Sequence, residues 1–190
     1  MPGREKWNAR WTEDPHAGGM GQEPSPFLVA QAARLPRAGR ALDAGGGPGH
    51  NALWLARHGL DVTLADVSDV ALARAEARAR EEGLALRTLE VDLEVEPLPP
   101  GPWDVILCTY LLHRPLFPAF AAALAPGGLL LFAHATRTNR TRHPRPGPDH
   151  LLDDGEAPRL VRAAGLEVVD AEEGWMEAGR HEARVVARRA

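Results

Sequence analysis

Ala41-Leu42-Asp43-Ala44-Gly45-Gly46-Gly47-Pro48-Gly49-His50-Asn51-Ala52-Leu53 reads as a buried strand ending at an acid, then a glycine-rich turn, then a helix. Glycines at 45, 47 and 49 remove Cβ atoms where the chain must turn sharply and a ligand can approach the backbone. A turn that opens a helix also leaves free N–H groups beside whatever binds there. The spacing is G-x-G-x-G; a dinucleotide fingerprint would place its third glycine at position 50, where His50 stands. Asp43 would repel a pyrophosphate and attract an ammonium or sulfonium. Beside the plain alternative of a ligand-free turn, the reading is a ligand loop made by Asp43, Ala44, Gly45, Gly47, Gly49 and Asn51.

On the C-terminal side, Asp61 to Asp66 alternates and ends in a second acid, 23 residues beyond Asp43. Parallel strands joined by a helix put both acids on one edge of a sheet, where open α/β folds bind ligands. Asp66, with Val67 beside it, can accept both hydroxyl protons of a ribose. Its competing role is to cap the next helix, for which Ser68 is an equal candidate. Val70 to Glu82 is strongly helix-forming. Leu84 to Val91 makes a third strand ending at Asp92-Leu93, an acid and an apolar side chain suited to an exocyclic amine and its ring. The prolines between Leu93 and Trp103 exclude a helix there, so the usual crossover is expected to be a loop.

Asp104 to Cys108 is a fully buried fourth strand, and Cys108-Thr109-Tyr110-Leu111-Leu112-His113-Arg114 follows at the ligand edge. Tyr110, His113 and Arg114 are the substrate-facing candidates, with His113 and Tyr110 as the catalytic ones. An imidazole titrates near neutrality and can act as a base, although a half-buried histidine bonded to backbone is the commoner case. Cys108 suits packing better than nucleophilic attack. Leu116 to Leu124 reads as a helix, Pro126-Gly127-Gly128 as a turn, and Leu129 to Ala133 as a fifth strand. Thr136 to Pro148 is a long arginine-rich loop, either functional or a surface excursion. Asp153-Asp154 are read as caps of a helix to Ala164. Leu166 to Val169 and Ala183 to Ala187 close the chain as strands able to pair antiparallel.

On the N-terminal side, Pro24-Ser25-Pro26 starts a helix with an apolar stripe from Phe27 to Leu35. Before it, Trp7, Arg10 and Trp11 form W-x-x-R-W, two indoles on one face of a helix. Residues 1–23 are therefore an arm: either a helix packed on the core, or a lid over a ligand with Gly18-Gly19-Met20-Gly21 as hinge and Arg10 facing a carboxylate. Residues 24–190 form the main domain.

The 190 residues, 44% apolar and 25% charged, are those of one ordinary globular domain. A formal net charge of −4 argues against a dedicated nucleic-acid binder. A single cysteine excludes an intrachain disulfide and a cysteine-based zinc site, and His143 and His150 lack a third ligand at metal spacing, so no metal is assigned. No signal peptide or membrane-length apolar run is present, so a cytoplasmic location with no membrane partner is expected.

The strand-terminal acids, the glycine loop and Pro126-Gly127-Gly128 before strand five together resemble the class I S-adenosylmethionine-dependent methyltransferases. W-x-x-R-W, Glu23-Pro24-Ser25-Pro26-Phe27-Leu28 and the Glu172 to Ala183 tail resemble the small tellurite-resistance-type methyltransferases, with a looser similarity to thiopurine methyltransferases. Pro48 and His50 depart from the usual loop residues. The resemblance implies an α/β fold: one doubly wound, Rossmann-like, seven-stranded sheet in the order 3-2-1-4-5-7-6, the last strand antiparallel, with helices on both faces. It implies S-adenosylmethionine as cofactor and S-adenosylhomocysteine as product. Asp43 and the glycine loop would hold the methionine part, Asp66 the ribose and Asp92 the adenine; Trp7, Arg10, Trp11, Val67, Leu93, Cys108 and Thr109 complete the expected pocket. The expected reaction is methyl transfer to a small soft nucleophile, a thiol or metalloid oxyanion, by a monomer or homodimer. The tetrad of amino-DNA methyltransferases is absent at Cys108 to Leu111. A cofactor-binding sensor or complex partner, or a methyltransferase with another small acceptor, is the alternative; a nicotinamide oxidoreductase is opposed by His50.

Overall fold

In the computed structural model, which describes residues 2–13 and 23–190, helix α1 (Pro2–Glu13) precedes a short helix α2 (Pro26–Ala30) and a Rossmann-like alternation. Strand β1 (Arg40–Ala44) leads through the glycine loop into α3 (His50–His58), then β2 (Asp61–Asp66), α4 (Asp69–Glu81) and β3 (Arg87–Glu90). Next come β4 (Trp103–Thr109), α5 (Leu116–Ala123), β5 (Leu124–Ala135), α6 (Glu156–Ala163), β6 (Glu167–Trp175) and β7 (His181–Arg188). The seven strands form one sheet in the order β3-β2-β1-β4-β5-β7-β6. Strands β1 to β5 pair parallel, and β7 runs antiparallel between β5 and β6. The expected order and the reversed last strand are both present.

The strands are apolar on both faces because each face is covered. Ala41, Val105, Leu107, Leu129 and Leu131 point to one side, against Phe27, Leu28, Ala52, Leu55, Leu72 and Ala75 of α2, α3 and α4. Leu42, Ile106, Leu130 and Phe132 point to the other, against Leu116, Phe117, Phe120, Ala157 and Val161 of α5 and α6. Side chains of this size contribute roughly 1.5–3 kcal/mol each on full burial, and they fix the register by which β1, β2 and β4 end at a common edge. The stretch between Asp92 and Trp103 holds no helix, as its prolines require.

Several boundaries differ from the sequence reading. The helix expected to reach Leu35 ends at Ala30 and continues as turns. Only Arg87–Glu90 of the third strand pairs, because β3 is a half-exposed edge. Pro126-Gly127-Gly128 lies inside β5, where the register against β4 shifts between Trp103 and Val105. Thr136 to Pro148 is ordered by a 3-10 turn (Arg137–Thr141), by buried Asn139 and by a bridge from Thr136 to Leu152. Asp153 and Asp154 do not cap α6. Its N-cap is Gly155 at φ 73°, while Asp154 accepts from Thr138 and Asp153 pairs with Arg137.

Ser68 is the cap that the structure selects for α4: its hydroxyl accepts from the Ala71 N–H at 3.2 Å and donates to Asn8 of α1 at 2.6 Å. Ser68→Ala is expected to lower stability by about 1 kcal/mol, the usual worth of such a cap. Urea unfolding checks this, and an unchanged midpoint at unchanged slope would contradict it.

Candidate functional site

The glycine loop closes over two buried acids. Asp43 is 0% exposed, and among the described residues neither of its carboxylate oxygens has a hydrogen-bond partner. Burial first, then the charge of Asp66, push its carboxyl up to about 7, with the nearby Ala52 N–H opposing the rise. A Cβ on Gly46 would lie 2.4 Å from Asp43 Oδ2, so the loop is wrapped directly onto this carboxylate. Asp66 is nearly as buried, but it is satisfied: Oδ2 accepts from the Gly47 N–H at 2.8 Å and Oδ1 from the Ser68 N–H at 2.9 Å. Burial raises its pKa, and those N–H groups oppose the rise.

Ala44 is buried at the end of β1, and the Gly45 N–H donates to the Ala65 carbonyl at 2.8 Å. Gly49, at φ 79°, is the N-cap of α3, and a Cβ there would meet Ala75 at 2.7 Å. Asn51 joins three elements: its Oδ1 accepts from the Ser25 N–H at 2.8 Å and its amide donates to Thr109 Oγ1 at 3.3 Å. The sequence reading gave Asn51 and Thr109 a ligand; here they bind each other.

Helix α1 crosses the ends of β1, β2 and β3. Asn8 bonds Ser68 and Asp69, and Arg4 pairs with Glu90 at 2.7 Å. Trp7 and Trp11 stack with centroids 6.1 Å apart and pack on Val70 and Ala71 of α4. Trp11 is 4% exposed and covers the loop so closely that a Cβ on Gly47 would lie 2.9 Å from its ring. Of the two readings of this arm, the packed helix is the one seen: one face packs on α4, and Trp11 lies against the glycine loop. Arg10 is exposed, with its guanidinium 5.2 Å over the Trp7 ring. The proposed hinge, Gly18 to Gly21, lies outside the described residues. A small cleft of about 20 Å³ remains between Arg4, Val67, Glu90, Val91, Asp92 and Glu96. Asp92 is half-buried at this cleft, whereas Leu93 turns into the core.

At the end of β4, Cys108 is fully buried, with its thiol 3.5 Å from the Leu111 carbonyl, and burial drives its pKa far upward. That is a packing residue. Tyr110 takes φ 62°, the one left-handed non-glycine among the described residues. Its hydroxyl donates to Glu182 of β7 at 2.5 Å. His113 is half-buried, and its carbonyl accepts from the Leu116 N–H as the chain enters α5. Arg114 is committed elsewhere: it clamps Glu156 at 2.6 and 2.8 Å and holds that carboxyl below its usual range.

Three residues here escaped the sequence reading. Glu182 is 1% exposed, Arg184 binds its second oxygen at 3.2 Å, and His134 is buried in β5 with its pKa lowered by burial. The available signal was an acid two residues from an arginine within a strand-like apolar run. Further along this edge, Asp154, Glu173 and His181 bring ligand-type atoms within 4.8 Å of one another, a grouping that linear spacing hides.

Residues 41–128 match a family profile described as a methyltransferase domain. That match covers less than half of the chain, which shares the fold of the solved structures it superposes on. Ribosomal protein L11 methyltransferase of Thermus thermophilus is 36% identical over 106 residues, 55% of this chain and 41% of that one. The chain thus spans less than half the length of the curated relatives it matches. Among solved structures, TehB from Haemophilus influenzae superposes with TM-score 0.76 at 19% identity, covering 97% of this chain and 67% of that one. A protein studied for conversion of a disulfide bond into a thioacetal group during echinomycin biosynthesis gives TM-score 0.77 at 24% identity, covering 98% and 92%. S-adenosylmethionine is the cofactor of this methyltransferase class, and S-adenosylhomocysteine its product. No helix among the described residues is long and apolar enough to cross a membrane.

Asp43 gives the fold a pH signature. Its folded pKa of about 7 lies above the ordinary 3.8, so the native state keeps a proton that the unfolded chain loses. Stability therefore falls as pH rises through that window. The full rise corresponds to at most about 4 kcal/mol, at about 1.4 kcal/mol per pH unit. Asp43→Asn should gain stability relative to wild type between pH 4.5 and pH 8 in urea titrations. An equal difference at both pH values would contradict the assignment.

Proposed function

We propose that the chain is an S-adenosylmethionine-dependent methyltransferase acting on a small soft nucleophile, a thiol or a metalloid oxyanion. Residues 24–190 are the methyltransferase domain in this reading, and residues 1–23 an arm that closes over the cofactor. The observation that carries it is Asp43, a buried carboxylate with both oxygens open under a glycine loop. An unpartnered buried carboxylate is costly unless a cation or donor meets it in the working protein. The amino group of a methionine moiety is such a partner. Seated there, it would draw the Asp43 carboxyl back down and make binding tighter as pH rises.

The other roles follow from place. Gly45, Gly47 and Gly49 let backbone approach the ligand, Asp66 faces the ribose, and Asp92 lies at the cleft for the adenine. Trp11 and Trp7 exclude water from above. The cofactor brings a methyl group already activated by its sulfonium. What the chain must supply is position and a dry surface, which suits a soft nucleophile that needs little base assistance. Cys108, sealed and protonated, plays no nucleophilic part.

Asp66→Ala should weaken S-adenosylhomocysteine binding at least about tenfold, the scale of a lost hydrogen bond to a charged group. Calorimetry reads this, and unchanged affinity would sink the pocket assignment. Methyl-labelled S-adenosylmethionine offered with thiols, selenite or tellurite tests the reaction: S-adenosylhomocysteine release that depends on the acceptor is expected. Silence across that panel, with the cofactor bound, would exclude the soft-nucleophile class.

The arm is tested separately. Limited proteolysis between residues 14 and 22 should slow several-fold when S-adenosylhomocysteine is added. Cleavage at one rate with and without it would rule out a lid.

A further inference from the structure

Where β6 and β7 pair, the antiparallel register sets Trp175 opposite His181 and Glu173 opposite Ala183. Side chains two apart on a strand share a face, so Glu173, Trp175 and His181 stand on one side of this ladder. On that side Ala183 and Val185 join the core beneath α5 and α6. Asp154, from the turn before α6, completes a trio with Glu173 and His181. One ligand-type atom from each lies within 4.8 Å of the other two. Both acids are exposed and the imidazole is half-buried, so the trio is open to solvent. Spacing around His143 and His150 offered no third ligand; the fold gathers a different set from positions 154, 173 and 181. Each member is held from behind. The Thr138 hydroxyl donates to Asp154 at 2.5 Å, and the Gly155 N–H donates to Glu173 Oε2 at 2.8 Å. Thr136 Oγ1 lies 2.8 Å from His181 Nδ1, and Trp175 meets the imidazole edge-on at 5.3 Å. The Thr138 and Thr136 hydroxyls hold the Asp154 carboxyl below its usual range. The neighbouring acids Asp153 and Glu172 are each met by an arginine, Arg137 at 2.6 Å and Arg184 at 3.9 Å. Asp154 and Glu173 form no such ion pair among the described residues, so two carboxylates face each other without a basic side chain between them.

We propose that Asp154, Glu173 and His181 form a binding site for a divalent transition-metal ion, zinc in preference to magnesium, that ties the β6–β7 hairpin to the turn entering α6. The donor set decides the class of ion. An imidazole nitrogen beside two carboxylates suits zinc, whereas magnesium and calcium take oxygen ligands and copper(I) favours thiolate. Two carboxylates with a neutral imidazole carry the charge that a divalent ion balances. Three protein ligands leave a coordination position for water. Ligands about 2.0–2.2 Å from a tetrahedral ion stand about 3.4 Å apart, so the trio closes by about 1 Å on binding. Exposed carboxylates do this by turning about their side-chain bonds. Thr136, Thr138 and Gly155 supply the hydrogen bonds behind the ligands that orient them. Thr136 also follows β5 directly, and its N–H donates to the His181 carbonyl at 3.0 Å. An ion held here therefore fixes the end of β5 as well as the start of β7. The site is independent of the reaction proposed above.

Calorimetric titration of the chelator-treated full chain with zinc chloride, and separately with magnesium chloride, tests the site. A single zinc ion should bind each chain, at least about tenfold more tightly than magnesium. Saturating zinc should raise the thermal midpoint by at least about 4 °C, because the ion binds the folded chain and not the unfolded one. Asp154→Asn, Glu173→Gln and His181→Ala should each weaken zinc binding at least about tenfold, a scale reached even by losing partners behind the ligands. Each should also remove most of the thermal shift. His150→Ala, a histidine outside the trio, should leave both readouts unchanged. Absence of zinc binding, equal affinity in wild type and the trio variants, or magnesium binding as tight as zinc would overturn the proposal. So would a loss of zinc binding in His150→Ala equal to that in His181→Ala. If His181→Ala fails to fold, the two exposed carboxylates carry the test, since neither belongs to the packed core.

Discussion

The Asp66 carboxylate accepts one hydrogen bond from Gly47 and one from Ser68, and four elements meet through it. The first bond fixes the glycine loop after β1 against the end of β2. The second sets the turn from which Ser68 caps α4 and reaches Asn8 of α1. With this carboxylate in place, the loop is fixed between Asp43 below and Trp11 above. Buried carboxylates bonded to backbone N–H groups rigidify their surroundings when every donor is used, and Asp66 meets that condition. Asp43, on the neighbouring strand, does not meet it: both its oxygens lack partners, whereas Asp66 has only its remaining lone pairs to offer a ligand.

Much of this was legible in the sequence. Three acids closing successive apolar runs, with a glycine loop after the first, place the ligand edge because parallel strands alternate with helices by a local pattern. The proline run after Leu93 excluded a helix for an equally local reason, a missing N–H and a fixed φ. Those features are carried by neighbours in the chain. The pair Tyr110 and Glu182 is 72 residues apart in sequence and meets only because β7 inserts antiparallel beside β5. No spacing rule reaches across that topology. Asp153 and Asp154 misled for a related reason: as good caps by type they stand at the right place, but Thr138 and Arg137 engage them from a distant loop. Helix α2 was overread because an apolar stripe continues to Leu35, and burial of Leu35 does not require the helix to go on.

The two sides of the ligand edge are built with opposite polarity. Toward β2 and β3 the edge is acidic, with Asp43, Asp66 and Asp92 set beneath an arm that offers aromatic rings. Toward β5 and β7 it mixes charges: Arg180 and Arg184 stand against Glu182, and His134 is kept neutral by burial. A cationic, donor-rich ligand suits the first side. The second sets two guanidinium groups against one buried carboxylate, a mixed surface in place of an acidic one.

The energetic costs in the chain fall along this same edge. A carboxyl raised to about 7 by burial, a left-handed tyrosine and an acid sealed at 1% exposure each work against folding, and none is needed to close the sheet. The core that tolerates them is the two-sided apolar packing of β1, β4 and β5, whose buried polar residues Asp43, Thr109 and His134 lie toward the strand ends. Replacing Asp43 by asparagine removes one of these costs without touching that packing, so stability and ligand affinity should move in opposite directions. That opposition is what distinguishes a strained functional group from a poorly chosen core residue, whose replacement would improve one property and leave the other unchanged.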